Sequence, residues 1–118
     1  MKSKLLLEKI EEMHYWDSRV VDLSTNFFGD EITLVYDDSE GDVVYKFSEC
    51  YEINYKHVLD YDKGKPISEF TKLQLPYFIQ NVEIEDFFRN ETNYLKCIIS
   101  MYPLELSILS KELFISRK

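Results

Sequence analysis

The densest group of reactive side chains in this chain is His14-Tyr15-Trp16-Asp17-Ser18-Arg19, which offers a base, a hydroxyl and a carboxylate within six residues. Nucleophilic catalysis needs those groups at fixed spatial separations in assigned roles, and neighbours on one short connector do not meet that requirement. The plain structural reading is stronger. Asp17 or Ser18 caps a turn through backbone hydrogen bonds, Trp16 plugs one end of a sheet, and His14 satisfies a nearby backbone group. No second polar cluster of that density exists in the chain to complete a catalytic site. The expectation is that the protein is not an enzyme.

Other chemistries fall on spacing. His14 and His57 lie far apart, and Cys50 and Cys97 form no CxxC, so a zinc site would need nearly all of these residues to converge. No metal or other cofactor is expected. Two cysteines are too few for a disulfide framework, and buried reduced thiols acting as small hydrophobes are the simpler reading. Only 3 glycines are present and none forms a phosphate-cradling loop. The run Asp37-Asp38-Ser39-Glu40-Gly41-Asp42 invites a calcium reading. Aligning its glycine with the sixth position of an EF-hand loop puts Tyr36 where the first carboxylate ligand belongs, so that motif fails.

What remains is charge. The chain has 118 residues and a formal net charge of −8, with 15 Asp/Glu against 6 Lys/Arg in residues 1–62 and 7 against 8 in residues 63–118. An acidic first half repels phosphate backbones and anionic lipid, which argues against nucleic-acid and membrane partners and for a basic protein partner. The candidate partner-binding residues are Asp37, Asp38, Glu40 and Asp42, with Asp30 and Glu31 as a second group. Tyr36 is included because an aromatic beside acids resembles an interface anchor.

These side chains need elements to hold them. Hydrophobic residues make up 45% and the aromatic count is 18, whereas alanine is absent. That composition suits pleated, half-buried surfaces better than helices. Leu6, Ile10 and Met13 follow helical spacing over Lys2–Met13. Alternation then takes over. Val21, Leu23, Thr25 and Phe27 face one way in Arg19–Phe27, and Ile32, Leu34 and Tyr36 do so in the next strand. Val43–Ser48 returns as a third strand, with alternation persisting through Tyr51, Ile53 and Tyr55 as a long strand or one bent near Cys50. Tyr45, Tyr51, Tyr55 and Tyr94 are expected to pack with their hydroxyls at the sheet rim. Asp60-Tyr61-Asp62-Lys63-Gly64-Lys65-Pro66 reads as a loop. Ile67–Leu75 reads as a second short helix ending before Pro76. Val82–Ile84, Tyr94–Met101 and the alternating Leu104, Leu106 and Ile108 supply the remaining strands. The expected fold is α+β over a single domain, residues 1–118, with one antiparallel, meander-like sheet of about six strands. The apolar run at Leu5-Leu6-Leu7 is too short for a signal peptide, and no window reaches membrane-span length, so the expected location is the cytoplasm.

The layout resembles the small β-rich immunity proteins of polymorphic and contact-dependent bacterial toxin systems. The resemblance is carried by the short first helix, by His14-x-x-Asp17-Ser18-Arg19 entering a strand, and by the Ile32–Tyr36/Val43–Phe47 hairpin. Gln74-Leu75-Pro76-Tyr77-Phe78-Ile79 leading into Val82-Glu83-Ile84 extends it. It implies a cytosolic, non-enzymatic inhibitor that binds one toxin domain, often a nuclease. Two alternatives stay open: an accessory or scaffold subunit that forms a homo-oligomer through its sheet, and a small-ligand carrier.

Overall fold

In a computed structural model, residues 2–59 and 61–117 are described; Met1, Asp60 and Lys118, and with Asp60 the start of the expected loop before Pro66, lie outside them. Lys2–Glu12 forms helix α1, with Ile10 fully buried and Leu6 and Met13 packed against the core, as their spacing implies. Ser3 ties the helix start to the sheet. Its hydroxyl donates to Asp86 Oδ2 at 2.6 Å, and Asn93 Nδ2 donates to Oδ1 of the same carboxylate at 3.1 Å. The bond from Ser3, then that from Asn93, holds the Asp86 carboxyl below its ordinary value.

The strands are β1 (Val20–Asn26), β2 (Glu31–Tyr36), β3 (Val43–His57), β4 (Asn81–Arg89), β5 (Thr92–Met101) and β6 (Leu104–Arg117). They form one six-stranded antiparallel sheet in the order β1-β2-β3-β6-β5-β4. Each half of the chain is therefore a three-stranded meander, and the long strands β3 and β6 join the halves. Along that seam Tyr45 opposes Ile115, and Ile53 opposes Ile108. The register shifts between Cys50 and Glu52, after Glu49 takes a positive φ of 54°. β3 is thus both long and bent near Cys50.

One face carries the core, including Ile32, Leu34, Tyr36, Tyr45, Phe47, Ile99 and Leu106, all with no exposed surface. The other face and the strand ends carry most of the charge. The two outer strands are drawn together by the stretch before β4. Val20 N–H donates to Tyr77 O at 2.7 Å, Ile79 N–H to Ser18 O at 2.9 Å, and Gln80 N–H to Ser100 O at 2.8 Å. Residues 77–80 thereby link the start of β1 to the β4–β5 side, curling the sheet over its apolar face and protecting the edge. Cys97 is buried in this core and Cys50 partly so, and both are free thiols. Burial pushes the Cys50 thiol up to about 11 and that of Cys97 further in the same direction.

Four local expectations are corrected. Ile67–Leu75 is not one helix but two single 3-10 turns, Ile67–Glu69 and Lys72–Gln74. Phe70 between them is extended (φ −85°, ψ 139°), and Thr71 and Gln74 form a capping box that starts the second turn afresh. Trp16 does not plug the sheet. It is 50% exposed and stacks at 4.5 Å on Tyr15, which is the buried ring. Trp16→Ala is accordingly expected to cost about 1–2 kcal/mol and Tyr15→Ala about 3–5 kcal/mol, read from denaturant melts. Tyr45 buries its hydroxyl in the core instead of reaching the rim.

Phe27 is the fourth. A register shift between Val20 and Asp22 breaks the alternation assumed for the first strand, and Phe27 leaves the sheet for the β1–β2 turn. Phe27 and Phe28 take positive φ values of 54° and 58°. The left-handed region costs a side chain with a Cβ roughly 1–2 kcal/mol. Phe27 is 71% exposed and Phe28 fully so.

Candidate partner-binding surface

The acidic loop Asp37–Asp42 joins β2 to β3 and is held from three sides. Asp37 N–H donates to Arg19 O at 2.8 Å, Gly41 N–H to Asp38 O at 3.1 Å, and Arg117 Nη1 to Gly41 O at 2.9 Å. Gly41 itself sits at φ 114°, a conformation that needs glycine. Arg117 Nη1 also donates to the Asp38 carboxylate, while Nη2 lies 3.4 Å from Met13 Sδ. The last strand, the loop and the end of α1 therefore meet at one guanidinium.

This arrangement sorts the expected residues. Asp38 is turned to Arg117, whose hydrogen bond is the chief cause holding its carboxyl below the ordinary 3.8. A carboxylate engaged in that way is a clamp on the loop. Asp37 and Glu40 are exposed and Asp42 partly exposed, and among the described residues none of the three forms a salt bridge. Tyr36 is a core residue. It has no exposed surface, and its hydroxyl donates to Met13 O at 3.0 Å. Alternation already placed it with Ile32 and Leu34, and that packing outweighs its adjacency to Asp37.

Arg117 and Tyr36 both reach Met13, so the C-terminal end of α1 lies against the loop. Glu11 and Glu12, which immediately precede Met13, are exposed and form no salt bridge among the described residues. They are the acids that reasoning from the loop alone leaves out. Their signal was present as helical spacing, since residues flanking an apolar Ile10–Met13 face must look outward. The candidate surface is therefore Glu11, Glu12, Asp37, Glu40 and Asp42, on the two segments that meet at Met13.

Asp30 and Glu31 are elsewhere. They sit at the opposite end of β2, about 20 Å away at strand rise. Glu31 Oε2 lies 3.6 Å from Lys46 Nζ, whereas Asp30 is exposed.

Within the His14–Arg19 group, Ser18 and Arg19 hold neighbouring groups. The Ser18 hydroxyl donates to His14 O at 3.2 Å, Arg19 Nε donates to Leu75 O at 3.3 Å, and the Arg19 guanidinium lies 4.8 Å from the centre of the Phe78 ring. Both His14 (φ 53°) and Asp17 (φ 60°) are turn residues. A second polar pair, not singled out by sequence spacing, is His57 Nε2 at 2.9 Å from the Tyr77 hydroxyl. It lies beside a largely apolar cleft of about 360 Å³ that Tyr55, Leu75 and Leu104 help to line. Burial, then Lys63, holds the His57 imidazole below its ordinary value.

The clamp gives a pH signature. The Asp38 carboxyl has a lower pKa folded than unfolded, so its stabilising contribution is complete above about 4 and is lost as pH falls through the folded value. Arg117→Gln is expected to flatten the acid limb of a stability–pH profile below pH ~4, and an unchanged limb would show that the pair does not couple to folding.

Over residues 2–117 the chain matches the model of a family described as Immunity protein PIM7. No curated protein matches it. Among solved structures, the crystal structure of an uncharacterized protein from Neisseria gonorrhoeae aligns with a TM-score of 0.57 at 17% identity, covering 88% of this chain and 94% of that one. That likeness is one of fold.

Proposed function

The chain belongs to the PIM7 family of immunity proteins, and from that premise we propose that it binds and blocks a toxin domain of basic surface through the acidic end formed by α1 and the β2–β3 loop. Immunity-type inhibition is what the family establishes; the basic character of the toxin, the surface used and a cytoplasmic site of action are the proposal. The observation that carries it is the gathering of Glu11, Glu12, Asp37, Glu40 and Asp42 toward one end, none of them in a salt bridge among the described residues, on a backbone fixed by Arg117 and Tyr36. Acids so gathered repel one another, and a cationic partner relieves that repulsion. A nuclease is the toxin class that best fits, because it must present a basic groove to phosphate, and fixed carboxylates can occupy phosphate positions.

The test is titration of the paired toxin domain with this protein while toxin activity is followed. Loss of activity ending at one equivalent, with a 1:1 complex on size exclusion, is the expected result. Undiminished toxin activity, or inhibition by catalytic amounts, would contradict it. A second reading, the small-ligand carrier, has its own observation in the cleft beside His57 and Tyr77. A metabolite retained through native purification and released on unfolding would support it.

A further inference from the structure

We propose that Phe27 and Phe28 form a preset aromatic anchor that enters an apolar pocket on the toxin, with Asp30 meeting a cation at the pocket's rim; this rests on the reading of the chain as a toxin inhibitor. A connection of this length is ordinarily built from residues at ease with positive φ, such as Asn and Gly. Here two bulky rings occupy that region consecutively, at φ 54° and 58°, followed by Gly29 at 92°. The turn is disfavoured twice. Its backbone is strained, and its rings are turned to water, with Phe27 71% exposed and Phe28 fully exposed. Neither ring stacks on another aromatic side chain among the described residues.

The surroundings hold the strain in place. Asp30 N–H donates to Phe27 O at 3.0 Å, and Cys50 N–H donates to Asp30 O at 3.0 Å. A Cβ on Gly29 would stand 3.4 Å from Ile53 Cδ1, so the turn rests directly on β3. Asn26 and Glu31 pair as the last rung of the β1–β2 ladder. A rigid, strained and exposed aromatic turn lowers the stability of the free protein, and local strain of this kind collects where a partner is recognised. Preorganised rings lose little entropy on insertion, which is what an interface anchor requires.

The partner follows from position. The acidic end lies one β2 length away, about 20 Å, and an interface of ordinary size spans both. The carboxylates attract and orient the toxin, and the two rings then hold it. Asp30, exposed beside the rings, adds a charge that a basic rim can meet.

The experiment compares wild type, Phe28→Asn, the double variant Phe27→Asn/Phe28→Asn and Phe28→Tyr, each melted alone and titrated into the paired toxin domain. Asparagine relieves the left-handed strain, so Tm is expected to rise by roughly 3–6 °C. Toxin affinity is expected to fall by about 30-fold or more, mainly through faster dissociation. Phe28→Tyr keeps the ring and should bind within about threefold of wild type. Asparagine variants that bind as tightly as wild type would overturn the anchor and leave the proposed function standing. A wild-type protein that does not bind the toxin would overturn both.

Discussion

Reversing Glu11, Glu12, Asp37, Glu40 and Asp42 to lysine is expected to weaken the toxin complex about a thousandfold or more, ~4 kcal/mol, while the free protein still melts cooperatively near the wild-type temperature. The size of the effect follows from what each residue lacks. Among the described residues none of the five forms a salt bridge, so no ion pair within the fold is broken when their sign changes. Each reversal turns an attraction to the basic partner into a repulsion, whereas neutral replacements only remove the attraction and should cost nearer tenfold. Asp38 is left out of the set on purpose. Its carboxylate holds Arg117, and changing it would disturb the loop as well as the charge.

Tyr36 carries an expected effect on stability as large as that of Tyr15. Tyr36→Ala should lose about 3–5 kcal/mol in urea unfolding, as expected for emptying an aromatic site in the core. The ring has no exposed surface and meets Tyr45 edge-on at a centroid distance of 5.6 Å. Tyr36→Phe keeps the ring and removes only the bond to Met13 O, so about 1 kcal/mol is expected. The contrast separates packing from the latch. Should Tyr36→Ala fold as stably as wild type yet fail to bind toxin, the residue would be an interface anchor after all.

Much of the fold was legible because alternation is a direct imprint of a half-buried strand. Ile32/Leu34/Tyr36 and Leu104/Leu106/Ile108 each repeat every second residue, and both triplets line the core. Leu6, Ile10 and Met13 likewise gave the helix and its buried side. Departures arose where one residue broke the period. β1 ends at Asn26, so Phe27 falls in the β1–β2 turn instead of on the expected face, and the extended Phe70 split the expected second helix into two turns. Long-range partners leave no local trace. Nothing near Asp38 announces Arg117, 79 positions away, and nothing near β3 announces that β6 lies beside it.

The candidate site was half legible for the same reasons. The acid-rich loop stood out by composition, but its closeness to Glu11 and Glu12 depends on Met13 meeting both Tyr36 and Arg117. Adjacency in sequence also hides how differently Tyr36 and Asp38 are turned. Next to each other in the chain, they and Asp37 point in different directions: one into the core, one to Arg117 and one to solvent.

The association rate of this protein with its paired toxin, measured by stopped flow from about 0.01 to 1 M salt, tests most directly whether charge at this end drives recognition. Over that range the screening length contracts from roughly 30 to 3 Å. The rate is expected to fall at least tenfold for wild type and to stay flat or rise for the five-lysine variant. A wild-type rate that is unchanged by salt, or that increases with it, would contradict the acidic end as the surface that meets a basic toxin.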